Sequence, residues 1–383
     1  GATARGYKIP LLARRTQRLT LDSNDFSHNW KPRLFSLVEH ESLTDWLSYH
    51  QNEKDEWLRF GAGIYLADVR GGAITGNRVE QGMNGLMLVR TDSLQIRNND
   101  FSFNSGLGIG MYRSSANTIV GNRIDYNVRG YSHGFFRRGQ DSAGILMFEQ
   151  CLRNVVAFNS VTHGGDGLFV WAGQSTMDTG NGGVNDNMFY ANDFSFAPTN
   201  GMEATFSRND FLGNRIEGSD HGLWGGYSYS SRIIGNCFIR NRIGIAIEHG
   251  QDNVIQRNRF EGDARGDSIG ISLWANPIEP SDWGYPKHRD TKSRDYRVVR
   301  NDFVGVNQPW SIRQSTSVDT SANVGRTLDS ACDPAVLMRE SGVSAPIIAG
   351  APSTWPRSAV ADRDRSAIIV DEWGPFDWRS PKL

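Results

Sequence analysis

The feature that most constrains the fold of this chain is a short phrase that recurs along it. The phrase centres on an asparagine, as in GNRV at 76–79, GNRI at 121–124 and ANDF at 191–194. Its asparagines are Asn77, Asn99, Asn122, Asn159, Asn192, Asn214, Asn236, Asn258 and Asn301. Successive members are separated by 22, 23, 37, 33, 22, 22, 22 and 43 residues. The chain is therefore a repeat protein with a base period of 22 residues, in which three intervals carry insertions.

Each repeat contains two strand-like pieces. Apolar residues stand three positions before and two positions after each asparagine, and a Gly–apolar–x–apolar piece follows, such as GIYL at 63–66 and GIAI at 244–247. Apolar residues that alternate with period two over short strands, repeated every 22 residues, are typical of the coils of a parallel β-solenoid. Helical repeats are longer and show a 3.6-residue period of apolar residues. The asparagine fits a tight turn where the left-handed conformation is tolerated, and stacked copies would hydrogen-bond from coil to coil.

These repeats resemble those of the right-handed parallel β-helix proteins of the pectin-lyase-like superfamily, and most of all the NosD-type, carbohydrate-active repeats. The resemblance covers roughly residues 61–304. It implies an all-β fold, a right-handed parallel β-helix of about ten coils with inserted loops. It implies no single activity, because the superfamily includes hydrolases, lyases, epimerases and non-catalytic surface proteins.

Three regions are expected along the chain. Residues 1–60 form an N-terminal coil and cap, with a short helix at 42–53; residues 61–316 form the β-helix; residues 317–383 form an irregular tail on the surface. The tail either ends the protein or leads into a further domain. Insertions at 27–60 and 125–141 precede the Gly-led strand of their coil, and those at 173–186 and 275–294 follow it. They would border one face of the solenoid from both edges and make a walled groove.

Composition excludes several classes of partner. A formal charge of -1 gives no general attraction for nucleic acid. No apolar run is long enough to cross a bilayer, and the N-terminus GATARGYKIP carries no apolar signal segment. Cys151, Cys237 and Cys332 fit neither a disulfide framework nor a metal-knuckle spacing. No metal or cofactor is expected, although a Ca²⁺ ion held by carboxylates is compatible with the sequence.

The predicted groove is the outward face of the Gly-led strands. Residues one and three positions after the glycine point inward, so those two and four positions after it point outward. These outward positions are unusually apolar and aromatic, and acids occur on consecutive coils. Glu203 and Glu248 stand two coils and two residues apart, which puts their Cα atoms roughly 12 Å from each other. Side chains that lean together would reach the carboxyl separation of about 6.5–9.5 Å used by inverting glycosidases.

The sequence therefore predicts a secreted glycoside hydrolase that acts on a neutral or weakly charged polysaccharide. Its acid and base are Glu203 and Glu248, with Asp166 as the substitute for either. The expected substrate-binding residues are Trp171, Trp224, His221, His249, Asn200, Tyr227, Tyr112, Phe148 and Arg113. The protein is expected in the periplasm or outside the cell because of the resemblance and the substrate, and its oligomeric state is left open.

Two other functions stay open at this point. A polysaccharide lyase or epimerase of uronic acids would use His221 or Tyr227 as its base, although the groove is short of lysine and its acids would repel a polyuronate. A non-catalytic glycan-binding surface solenoid would need only the aromatic face. The paired-aspartate and Gly-His-Gly motifs of polygalacturonase-like hydrolases have only partial counterparts in GGDG at 164–167 and EHG at 248–250.

Overall fold

A computed structural model describes residues 1–29, 52–127, 143–262, 266–277, 283–326, 330–352, 370–371 and 374–375. Within these ranges the chain is a right-handed parallel β-helix, as the repeats predict. Most of the helix expected at 42–53 lies outside the described residues. A 3-10 helix spans Glu56–Phe60, and the α-helices are α1 (Gln174–Thr179), α2 (Tyr285–His288) and α3 (Pro334–Ser341).

The Gly-led pieces form sheet 1, which has eleven parallel strands. In spatial order they are β1 (Leu11–Arg14), β3 (Ile64–Ala67), β5 (Leu86–Val89), β7 (Ile109–Tyr112), β9 (Ile145–Phe148), β11 (Leu168–Trp171), β13 (Asn200–Ala204), β16 (His221–Trp224), β19 (Ile243–Glu248), β22 (Ile269–Trp274) and β25 (Gln308–Arg313).

The pieces that precede the asparagines form sheet 2, which also has eleven parallel strands. They are β2 (Gln17–Asp22), β4 (Arg70–Thr75), β6 (Asp92–Arg97), β8 (Thr118–Val120), β10 (Val155–Ala157), β12 (Asn187–Tyr190), β14 (Asn209–Leu212), β17 (Arg232–Ile234), β20 (Val254–Gln256), β23 (Ser293–Val299) and β26 (Ser315–Asp319). Sheet 3 follows the asparagines and contains β15 (Arg215–Glu217), β18 (Cys237–Ile239), β21 (Arg259–Glu261), β24 (Asp302–Val304) and β27 (Val324–Arg326).

The predicted inward positions fill one continuous core along the solenoid axis. Ile64 and Leu66 of β3 lie in it, as do Ile245 and Ile247 of β19. Equivalent aromatic rings stack from coil to coil: the centroids of Phe238 and Phe260 are 5.1 Å apart, with an interplanar angle of 7°. Because each coil repeats the last, one apolar position in the sequence becomes a buried row in the structure.

The recurring asparagines form an internal ladder, as the spacing predicts. Each side-chain amide donates to the Oδ1 of the next asparagine at 2.8–3.1 Å, from Asn24 through to Asn323. The left-handed residue of this turn is the one before the asparagine, for example Gly76 at φ 63° and Gly121 at φ 66°. The expectation that the asparagine itself adopts this conformation is wrong, because its side chain is turned inward to the ladder.

An outer apolar layer covers the outward face of sheet 1 in the first half of the solenoid. It contains Tyr65, Met87, Tyr112, Leu146, Phe148 and Phe169, together with Trp57 of the 3-10 helix. Trp57 is fully buried and meets Tyr112 edge-on, with ring centroids 6.0 Å apart. The outward direction of these side chains is as predicted, but they lie in a second core rather than at the surface.

The C-terminal tail is fastened along the side of the solenoid. Sheet 3 continues to Arg326, about ten residues past the expected end of the β-helix at 316. After it, α3 places Met338 against the turn glycines Gly213 and Gly235, and Arg97 of β6 donates to the carbonyl of Ala349. Further along the chain, Val370–Asp371 pairs with Gly374–Pro375 as a short antiparallel ladder.

A disulfide joins the tail to the repeats. Cys237 of β18 is bonded to Cys332, 95 residues further along the chain, and Cys151 is a buried free thiol. The expectation that the cysteines form no disulfide is therefore wrong. The pairing links a regular coil to an aperiodic segment, so it follows no spacing that the sequence displays.

Candidate functional site

The outer apolar layer ends at β11, and from there sheet 1 presents a partly exposed polar and aromatic surface, here called the groove. Its outward side chains on successive strands are Trp171, Glu203, Trp224, Glu248 and Trp274, all partly exposed. The register aligns Glu203 with Trp224, and Glu248 with Trp274. Acids and indoles thus alternate along four neighbouring strands, from β13 to β22.

Glu248 is held by two donors from the strand and loop that follow. The Trp274 indole Nε1 donates to Glu248 Oε1 at 3.1 Å, and the Asn276 side-chain amide donates to the same oxygen. Trp274 also contacts Trp224, with centroids 5.6 Å apart and an interplanar angle of 60°. The carboxylate and the two indoles therefore form one connected unit.

Asn200 organises the other end of the groove. Its Nδ2 donates to Glu203 Oε2 at 2.7 Å, and its Oδ1 lies 3.1 Å from Nδ1 of His221. Since the amide oxygen only accepts, Nδ1 of His221 carries the proton and Nε2 keeps its lone pair. The imidazole also meets Trp224 edge-on at 5.1 Å. One amide thus orients both an acid and an imidazole toward the indole pair.

Asp166 lies beneath this network and does not line the groove. It is fully buried, and its Oδ1 accepts from the backbone N–H of Asn200 at 3.0 Å and from the Thr199 hydroxyl. Burial raises its pKa to about 6, and among the described residues Oδ2 finds no hydrogen-bond partner. The position of Asp166 is that of a support for Asn200, which corrects its expected role as a substitute for either glutamate.

Two insertions build the wall along one edge of the groove. Helices α1 and α2 belong to the insertions at 173–186 and 275–294 and pack on each other. Gly284 lies so close to the Asp178 carbonyl that a Cβ there would stand 2.0 Å from its oxygen, so only glycine fits. Arg289 adds a hydrogen bond to the Gly180 carbonyl at 2.8 Å. The insertions at 173–186 and 275–294 therefore border the same edge, as predicted, whereas residues 30–51 and 128–141 of the other two insertions lie outside the described part of the chain.

An aromatic cluster fills the base of this wall. Tyr227 stacks between Phe206, at 4.6 Å, and His249, at 4.7 Å, and both Trp283 and Tyr285 meet it edge-on. Burial raises the pKa of Tyr227, so its phenol is a poor base near neutral pH. His249 is buried. Its Nδ1 is hydrogen-bonded to the Thr291 carbonyl, and its Nε2 accepts the backbone N–H of Asn276. Both residues support the wall.

Three other predicted binding residues lie away from the groove. Tyr112 and Phe148 belong to the outer apolar layer and are buried. Arg113 forms an ion pair with the buried Glu149, at 2.7 Å, and another with Glu53. The structure therefore gives these residues a place in packing and ion pairing.

The sequence interpretation missed Asn276, Trp283 and Tyr285 as parts of the site. All three lie in the insertion at 275–294, outside the repeat, so no periodic position marks them. The one available signal is the enrichment of aromatic residues in an insertion that borders the predicted groove.

A family model decides the classification of the chain. The model described as "Periplasmic copper-binding protein (NosD)" matches residues 46–195 and 138–323. The chain belongs to the NosD family. Its fold agrees with this assignment, since the matched ranges span the described coils from β3 to β26.

Solved structures are similar to this NosD-family chain only at low sequence identity. A mutant of the periplasmic alginate epimerase AlgG is 14% identical, with 69% of this chain and 48% of that chain covered and a TM-score of 0.30. The Dettilon tailspike protein is 14% identical, with 80% of this chain and 60% of that chain covered and a TM-score of 0.40. PfbA, a surface adhesin of Streptococcus pneumoniae, is 9% identical, with 80% of this chain and 81% of that chain covered and a TM-score of 0.43. The chain spans about half the length of the epimerase, and no curated protein matches it.

The family name implies copper, for which the described residues offer no cluster of His, Cys, Asp or Glu ligands. Copper sites in proteins are built from imidazole, thiolate and thioether ligands. Among the ranges that the structure describes, no three His, Cys, Asp or Glu side chains are placed to hold a metal ion. Those residues likewise include no helix with the length and apolarity needed to span a bilayer.

Proposed function

We propose that this NosD-family protein is a glycoside hydrolase that acts on a neutral or weakly charged polysaccharide. The observation that supports this most is the order Glu203, Trp224, Glu248, Trp274 along four adjacent strands of sheet 1. Partly exposed indoles provide apolar faces on which sugar rings stack. In this order Glu203 lies on the strand beside Trp224, and Glu248 lies on the strand between the two indoles, so a sugar bound here would be near both carboxyl groups.

The contacts suggest a division of labour between the two acids. Glu248 accepts two N–H bonds on Oε1, so its carboxylate is oriented as an acceptor and serves as the base that activates water. Glu203 serves as the acid that protonates the leaving oxygen. The register separates their Cα atoms by roughly 12 Å, which allows the carboxyl spacing of an inverting mechanism.

Asn200 and Asp166 act as positioning residues in this proposal. Asn200 holds Glu203 through its side chain and is itself held by Asp166 through its backbone. Because Asp166 is enclosed, it stiffens the strand from which Glu203 projects. This support from outside the groove is the kind that a precisely placed acid requires.

A polysaccharide lyase is the second candidate, favoured by the state of His221. Burial lowers the pKa of this imidazole, so it is neutral near pH 7, and its Nε2 lone pair is available to remove a proton. Tyr227 is less suited to this role because burial raises its pKa.

The protein is proposed to work outside the cytoplasm. The Cys237–Cys332 disulfide supports an oxidising compartment, where such bonds form and persist. The family description as periplasmic agrees with this location.

The test is incubation of the protein with a broad panel of polysaccharides, with reducing ends and ultraviolet absorbance measured in parallel. New reducing ends without absorbance support the hydrolase. Absorbance from an unsaturated product supports the lyase and moves the base to His221. Glycan binding with neither signal contradicts both activities and leaves a binding solenoid.

A further inference from the structure

A stack of rings runs along the edge of sheet 1 that lies opposite the wall. Its members precede β7, β9, β11 and β13 and stand four residues after an asparagine of the internal ladder. They are Phe103, Tyr126, His163 and Phe196, here called the aromatic ladder. Successive ring centroids are 5.4, 4.4 and 4.8 Å apart. The aromatic ladder therefore follows the spacing of the coils, with one ring on each.

The rings of the aromatic ladder stand where the backbone favours glycine. All four residues have φ between 58° and 64°, in the left-handed region that bulky side chains rarely adopt. The next coil has Gly218 at the same position, with φ 73°. A row of rings kept in an unfavourable backbone conformation is the kind of outlier that points to a function.

The aromatic ladder ends in an open ring face. Phe196 stacks on His163 and is nevertheless 43% exposed. On its other side a Cβ at Gly218 would stand 3.1 Å from Cδ1 of the ring, so the absence of a side chain there keeps this face open. Arg240 occupies the same position one coil further along. A gap one coil wide thus separates the ring from Arg240, which lies two coils, about 10 Å, from Phe196.

Arg240 supplies a polar group on the far side of this gap. Its side chain is 58% exposed and forms an ion pair with Glu217, which also pairs with Arg215. The bond to Glu217 uses one of the five N–H donors of the guanidinium. Asp193 lies in register with Arg215, so two arginines face two acids here. This balance of charge favours a neutral ligand over an anion.

We propose that the gap between Phe196 and Arg240 binds one unit of a neutral polysaccharide. The sugar ring stacks on Phe196, in the place that a further ring of the aromatic ladder would take, and a hydroxyl group accepts an N–H of Arg240. The four residues from Phe196 to Asn200 span at most about 13 Å, so one glycan that crosses β13 reaches both this gap and the groove. The choice of the polysaccharide rests on the proposed function, whereas the sugar site rests on the ring, the glycine and the arginine.

The experiment measures binding by calorimetric titration, so it is separate from the test of cleavage. The ligands are hexasaccharides of cellulose, mannan, xylan and amylose, with hexagalacturonate as the acidic comparison. Phe196→Asn removes the ring and retains a residue that tolerates the left-handed conformation, while Gly218→Asn keeps the ring and fills the gap. The control is Tyr7→Asn, which removes a ring that is 62% exposed at the N-terminal end of the chain. Thermal melting checks that each variant is folded.

We expect at least one neutral hexasaccharide to bind, and Phe196→Asn and Gly218→Asn each to bind it about tenfold more weakly. Tyr7→Asn should stay within about twofold of the parent, since its ring lies away from the site. Normal binding by Phe196→Asn or by Gly218→Asn overturns the proposal. So does a preference for hexagalacturonate, or a protein that binds none of the five ligands.

Failure of this site and failure of the hydrolase have different signatures. Weaker binding in both variants, without release of reducing ends by the parent, supports the sugar site and contradicts the hydrolase. Cleavage by the parent with an unchanged KM in Phe196→Asn supports the hydrolase and contradicts the sugar site. Where both hold, Phe196→Asn should raise KM about tenfold and leave kcat unchanged, because the ring contacts a sugar unit that does not react.

Discussion

Trp274 donates its indole N–H to Glu248 across neighbouring strands, at 3.1 Å between Nε1 and Oε1. The two residues face each other in register on β22 and β19. The indole therefore has two functions at once: it contacts Trp224 and fixes the rotamer of a carboxylate. A carboxylate placed in this way is oriented before any ligand arrives, which is the condition for efficient proton transfer.

Replacing either groove acid should remove cleavage. Glu203→Gln and Glu248→Gln keep the size of the side chain and lose the titrating group, so each should lower kcat by about 10²–10⁴-fold, the usual contribution of a general acid or base. The measurement is initial release of reducing ends on the substrate that the panel identifies.

The matched control for these variants is Glu340→Gln, which changes an exposed glutamate in α3. It should leave kcat unchanged. Full activity in either groove variant would exclude that glutamate from the reaction, and equal loss in all three would point to misfolding.

Trp274→Phe should show whether the indole acts by orienting Glu248 or by stacking on the sugar. The phenyl ring retains an aromatic face but cannot donate to Glu248, so kcat should fall by about tenfold while KM changes little. Trp224→Phe is the matched comparison, because no hydrogen bond from the Trp224 indole to either acid is found in the described residues. A rise in KM with unchanged kcat in Trp274→Phe would show that the indole only binds sugar.

The sequence predicts those features of the structure that repeat. The core rows and the asparagine ladder follow from the period, since a position that recurs every coil must meet its own copy above and below. The same reasoning places Glu203 and Glu248 on one face, two coils apart. Their neighbours Trp224 and Trp274 follow from the same alternation.

What lies outside the repeat could not be predicted in this way. Tyr112 and Phe148 point outward as expected, but Trp57, from an aperiodic segment, covers this region. The partner of Cys237 is likewise in the tail, whose path has no period. Asn276 reaches Glu248 from an insertion. The direction of a side chain is thus a property of the coil, while its exposure depends on segments that obey no repeat.

The asparagine ladder should be most costly to interrupt at its centre. Asn214 accepts from the backbone of Asn192 and donates to the Phe189 carbonyl and to Asn236. Asn214→Ala leaves these buried groups unpaired, so the free energy of unfolding should fall by about 2–4 kcal/mol in urea titrations. Asn24→Ala, at the solvent-accessible end of the ladder, should cost about 1 kcal/mol or less. Equal costs would show that the ladder does not depend on burial.

Asp166 should impose a pH dependence on stability. Its pKa is raised to about 6 by burial, above the value of 3.8 for a free side chain. Between these two values the folded state holds a proton that the unfolded state releases, so stability falls as pH rises through this window and then levels. Asp166→Asn cannot ionise and should lack this component.

The measurement for Asp166 is urea unfolding of both proteins at several pH values from 4 to 7. The difference in unfolding free energy, variant minus parent, should grow by about 2 kcal/mol across the window. The substitution places an amide where Oδ2 has no partner in the described part of the chain, which adds a constant cost and leaves the slope unaffected. Parallel curves would show that Asp166 ionises in the folded state as it does in the unfolded one.

The disulfide should hold the tail against the solenoid. It closes a loop of 95 residues, so Cys332→Ser should lower the free energy of unfolding by about 2–4 kcal/mol, and hydrogen exchange should rise most in α3 and residues 342–352. Reducing agent should bring the parent to the same stability and leave the variant unchanged, because Cys151 is a buried free thiol in both. A variant that is as stable as the oxidised parent, with α3 still protected, would show that noncovalent contacts, including the packing of Met338 and Leu337, secure the tail without the disulfide.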